Sequence, residues 1–159
     1  MAGTAHPDVA AVRTQHASWG RGDTVLLVLA VTTLVLVAAQ FALAGLGAFT
    51  MVRSPAEHAY AAHMVLGMII GILTWIVLGT ALASRAARAQ PRTLWPAAAL
   101  AVLAIPVEPL LAEAGRRVPA VGTLHVLTGL AICALAGWLV AESARRRSAA
   151  RRPAGPAAS

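Results

Sequence analysis

Apolar and polar residues in this chain do not alternate on the short period of a half-buried helix or strand; they come in long blocks. Four stretches are almost wholly apolar: residues 24–47, 60–83, 94–112 and 121–141. A hydrocarbon layer about 30 Å thick is crossed by ~20 helical residues rising 1.5 Å each, and every block has about that length. No water is available there to bond peptide groups, so each block must close its own hydrogen bonds as a helix. The pattern predicts an all-α integral membrane protein, a four-helix up-and-down bundle whose neighbours run antiparallel through short loops. The transmembrane domain is expected over residues 23–141, between a flexible start (1–22) and a disordered basic tail (142–159). The start does not read as a signal peptide: it is polar, contains Pro7, and precedes an apolar run longer than a signal core.

Punctuation along the chain agrees with these blocks. Asp23 is a candidate N-cap for the first helix, with Gly45 and Gly47 ending it. Pro91 and Pro96 bracket the start of the third, where proline is tolerated. Pro106 and Pro109 fall inside its last turns, where each removes a backbone donor and predicts a bend.

Charge fixes the expected orientation. Ten arginines (Arg13, Arg21, Arg85, Arg88, Arg92, Arg145, Arg146, Arg147, Arg151, Arg152) fall on one side of the blocks and three (Arg53, Arg116, Arg117) on the other. The positive-inside rule puts both termini and the 85–92 loop in the cytoplasm of a cell-membrane protein, with helices two and four running inward. Trp19 and Trp95 sit at the cytoplasmic boundary as interfacial anchors, while Trp75 and Trp138 face lipid or core.

Composition narrows the function classes. Hydrophobic residues make up 58% of the 159 and charged ones only 12%, with mean hydropathy +0.72, too few polar groups to cover a soluble domain. The sequence pI near 11.7 invites a nucleic-acid reading. However, the arginines flank helix ends, where they meet anionic lipid, and make no basic face for nucleic acid. Cys133, the one cysteine, reads as a small buried apolar residue without metal-ligand spacing.

Polar side chains are costly in lipid and tend to face the bundle interior or a cofactor. Few occur here, and they form a layer. His63 and His125 each lie about one turn into helices two and four, at matching depth in the outer half. Gln40 and Glu108, near the ends of helices one and three, belong to the same layer. Glu108 reads either as a proton carrier in an apolar site or as a carboxylate turned to water beside its prolines. The run Gln40-Phe-Ala-Leu-Ala-Gly-Leu-Gly47 parallels Glu108-Pro-Leu-Leu-Ala-Glu-Ala-Gly115, and each is followed by His-x-x-x-Gly, at His63–Gly67 and His125–Gly129. Two repeated helical hairpins are the implied arrangement.

Helices two and four are diagonal in such a bundle, roughly 13 Å apart when neighbours are 8–10 Å apart. Two imidazoles reaching inward could therefore hold one b-type haem iron from both sides. Gly67 and Gly129 would leave room for the macrocycle, and Arg53, Arg116 and Arg117 would receive its propionates. The competing reading makes the histidines interhelical hydrogen-bonding residues and the glycines packing residues, since Gly67-Met-Ile-Ile-Gly71 is a small-xxx-small stretch. His6, His16, Glu57 and His58 read as solvated.

The stretch Gln40–Phe49, His63 with Gly67, Glu108-Pro-Leu-Leu-Ala112 and His125 resembles a family of small bacterial four-helix membrane proteins of unknown function, over about residues 25–141. That resemblance implies the architecture and no activity. More loosely, His63 and His125 are similar in position to the histidines of one four-helix half of haem A synthase, which hold a haem. The synthase has two such halves and a glutamate one turn before its first histidine, where Tyr60 stands here. The resemblance thus implies a one-haem electron carrier or accessory subunit more than an enzyme of that kind, and leaves open whether the protein is an enzyme. With one haem near one face, the chain alone could not carry electrons across the bilayer. Two further readings stand beside it: a cofactor-free accessory subunit joined to other membrane subunits or to itself, and quinone handling through Gln40, Glu108 and the histidines.

Overall fold

The computed structural model describes residues 19–51 and 61–151. In chain order these form α1 (Arg21–Met51), α2 (Ala61–Ala83), a single turn α3 (Arg85–Arg88), α4 (Pro91–Val102), a π-helical segment (Leu103–Val107), α5 (Glu108–Gly115) and α6 (Pro119–Ala150). There is no strand among the described residues. α4, the π segment and α5 make one continuous third span, so among the described residues four helices are long and apolar enough to cross a membrane. α1 packs on α2 and α6, and α4 packs on the same two. The four spans therefore stand in a square, with α2 and α6 on one diagonal, as an up-and-down bundle requires.

The seam between the helices is built mainly from small or branched side chains: Ala30, Val37, Ile70, Val77, Ala81, Ala97, Leu100, Ala104, Ile132, Ala136 and Leu139 are buried. Larger residues such as Val35, Met68, Ile72, Trp75 and Leu127 stand on the outside. Helices apolar all round, with small residues inward and bulky ones outward, suit a surrounding as apolar as the core. Two buried hydroxyls are satisfied within their own helix, Thr33 Oγ1 donating to Leu29 O at 2.8 Å and Thr74 Oγ1 to Gly71 O at 2.7 Å.

Helix limits differ from the expected blocks in four places. Asp23 is not the N-cap of α1; it sits in the first turn and accepts a bond from the Gly20 N–H at 3.1 Å, the returning half of a capping box. Gly45 and Gly47 do not stop α1, which runs on to Met51; without competing water, glycine's flexibility gives a helix little reason to break. Residues 142–150 are not a disordered tail but the last turns of α6. Glu142 and Ser143 are buried, and Arg146 Nη1 meets Asp23 Oδ1 at 3.1 Å, tying the end of α6 to the start of α1. The third span begins at Pro91 and the fourth at Pro119, each proline in the first turn.

The prolines of the third span each have a visible consequence. Pro96 cannot donate to the Arg92 carbonyl, and Trp138 Nε1 reaches across from α6 to bond that oxygen at 3.1 Å. Pro106 and Pro109 resolve into a π-bulge, with Ile105 at φ −129°, ψ 39° and the Glu108 N–H bonded to Leu103 O. The extra residue in the turn absorbs the missing donors and keeps the span continuous. Opposite the bulge stands Gly71, where a Cβ would lie 2.6 Å from Ile105 Cγ1. Glycine there is a requirement of close approach.

Candidate functional site: the paired histidines

The π-bulge decides where Glu108 goes. As the first residue after it, Glu108 turns inward to a side chain only 14% exposed, and its carboxylate meets His125 Nδ1 on α6. On the other hairpin, Gln40 and His63 clasp each other: Gln40 Nε2 donates to His63 O at 2.8 Å, and His63 Nδ1 lies 3.3 Å from Gln40 O. The two hairpins thus make matching contacts, the polar residue of the first helix engaging the histidine of the second. The pattern repeats at the glycines. A Cβ on Gly67 would stand 3.1 Å from Gln40 Nε2; one on Gly129 would stand 3.4 Å from Phe41 Cζ and 3.7 Å from Glu108 Oε1. In this structure each glycine makes room for neighbouring side chains of the bundle.

The diagonal gap closes at this level. The His63 and His125 ring centroids are 6.4 Å apart with their planes at 72°. Both rings are half-buried, and the layer is completed by Phe41. With Nδ1 of each ring directed at an oxygen acceptor, Nε2 is the nitrogen chemically suited to a metal, the arrangement that orients metal-bound imidazoles. Among the described residues no three His, Cys, Asp or Glu side chains converge as a metal-ion site.

The remaining candidates are placed elsewhere. Arg116 and Arg117 are exposed in the turn after α5, and both pair with Glu113. Arg53, like Glu57, His58, Tyr60, His6 and His16, lies outside the described residues. Cys133 packs partly buried against the core.

Four long apolar spans packed as a bundle, with His63 and His125 facing each other among the described residues, define a small polytopic membrane protein. The UNC-50 family model matches residues 7–98, more than half of the chain, and the protein belongs to that family. This membership replaces the resemblances to a bacterial family of unknown function and to half of haem A synthase. Those rested on short runs of small residues around a histidine, which helix packing alone can produce. The matched region contains Gln40 and His63 and stops before Glu108 and His125. No curated protein and no solved structure matches the chain significantly.

Proposed function

We propose that this protein holds one b-type haem between His63 and His125 and serves as an electron-transfer or accessory protein in its membrane. One observation carries the reading, the spacing of the two rings. The two ring centroids stand 6.4 Å apart, close enough for both imidazoles to reach one bound group, and haem iron takes imidazole as a protein ligand. Two histidines alone are a poor set for a bare ion, which wants four or more ligands, whereas a porphyrin brings its own four. Haem bound there would supply one-electron chemistry. Glu108 and the Gln40 carbonyl hold the two Nδ1 atoms and so orient the rings; Phe41 and the apolar seam keep water out. Arg116 and Arg117 could meet propionates only by sharing them with Glu113.

Protein purified from haem-replete cells should show a low-spin, six-coordinate spectrum that changes on reduction and is lost in His63→Ala and in His125→Ala. A colourless preparation, or His63→Ala with an unchanged spectrum, sinks the proposal.

A cofactor-free accessory role is the second reading. It is favoured by Gly45, Gly79 and Gly137, where an added Cβ would meet nothing within 4 Å. Such outward-facing glycines let a partner helix approach closely. Gentle detergent extraction would then retain a partner that both histidine-to-alanine variants also retain. For orientation, the arginine asymmetry supports cytoplasmic termini. Reporters fused to either end should be active only on the cytoplasmic side.

A further inference from the structure

The arginine-rich end of the bundle carries a feature that the histidine site does not use. Two of its arginines are matched by acids: Arg146 by Asp23, with Ser143 Oγ 3.4 Å from its Nη2, and Arg145 by Glu142 at 2.8 Å while it also lies 5.5 Å over the Trp138 ring. These pairs consume Asp23 and Glu142, the acidic residues described at this end. Arg147 in the last turn of α6 and Arg151 at its C-cap, four residues on and both exposed, are left without a carboxylate partner among the described residues. They line an open groove of about 430 Å³ together with Trp19, Thr24 and Ala150. Trp19 is held there by its Nε1 bond to Thr24 Oγ1 at 2.8 Å, just ahead of the positive end of the α1 dipole.

We propose that this groove binds the headgroup of an anionic phospholipid, its phosphate between Arg147 and Arg151 and its glycerol region against Trp19. Charge complementarity selects the ligand: two unmatched guanidinium forks suit phosphate oxygens bidentately. Position selects the source. The groove lies where the apolar spans give way to charge, the level at which tryptophan rings and lipid headgroups meet. The site is independent of the haem reading.

The test uses the full chain in neutral detergent, titrated with phosphatidylglycerol or phosphatidylcholine and read by native mass spectrometry. Phosphatidylglycerol should bind at least about tenfold more tightly, and the preference should weaken with added salt. At about 1 kcal/mol per arginine near the surface, R147A/R151A should lose roughly 30-fold in affinity. The matched control R116A/R117A, at the opposite end, should lose none. Both arginines are exposed, so folding is not at stake, and Arg151→Glu alone should act in the same direction. Equal binding of the two lipids would overturn the proposal, as would undiminished phosphatidylglycerol binding by R147A/R151A. Displacement of the lipid by millimolar inorganic phosphate would overturn it too, by making this a site for free anions.

Discussion

Four residues explain the polar layer: Gln40, His63, Glu108 and His125. Burial favours a partner for each polar group, and the two histidines find theirs differently. His63 is held by a backbone carbonyl, which no substitution removes, whereas His125 depends on one carboxylate. Glu108→Leu should therefore leave His125 Nδ1 unpartnered and destabilise the bundle by about 1–3 kcal/mol. Glu108→Gln, which keeps an oxygen acceptor, should cost less than half as much. Thermal unfolding in detergent ranks the two, and equal losses would refute a bonding role for Glu108. The histidines, Gln40 and Glu108 were all legible in the sequence, because polar residues in apolar blocks stand out. What Gly67 and Gly129 accommodate was not. Spacing places a glycine one turn from a histidine but cannot say which neighbour's side chain fills the space it leaves.

At the level of the elements, the third span shows the largest departure from a regular helix. Two prolines three residues apart predict a bend; the π-bulge at Leu103–Val107 is how the chain accommodates them. The matching concession lies on another helix, at Gly71, more than thirty residues earlier in the sequence. Gly71→Ala should push Ile105 from its place and cost about 1–3 kcal/mol. Gly79→Ala, with nothing within 4 Å of the added Cβ, should be neutral or stabilising by up to ~1 kcal/mol through helix propensity. Melting temperatures of the two variants in one detergent compare them directly, and a reversed order would contradict the packing described. Trp138 adds a similar long-range dependence. Trp138→Phe removes the donor that Pro96 left the Arg92 carbonyl needing, and a loss of about 1 kcal/mol is expected in the same assay.

On the scale of the whole molecule, the ends of α1 and α6 are locked by a buried ion pair. Asp23 and Arg146 side chains are 6% and 12% exposed, so breaking the pair strands a charge in a poorly hydrated place. Asp23→Asn should destabilise by about 3 kcal/mol, and the double variant Asp23→Asn, Arg146→Met should recover most of it. A double variant as unstable as the single one would show that the two residues do not act as a pair. The apolar pattern ends the fourth block at Ala141 because charges follow. It does not reveal that those charges continue the helix, since Asp23, the partner that buries Arg146, is 123 residues away in sequence.

The number of spans and the positions of the four polar residues were determined by the sequence itself. Block length against bilayer thickness and the rarity of polar groups in apolar stretches are properties that composition and order carry locally. The arginine asymmetry is local in the same way and supports the proposed orientation. Other features were decided only in three dimensions: the 6.4 Å approach of His63 and His125, the inward turn of Glu108, and the extension of α6 through Arg146. Each depends on which helices are neighbours and how closely small residues let them approach, and that distance is set by the packing of the whole bundle.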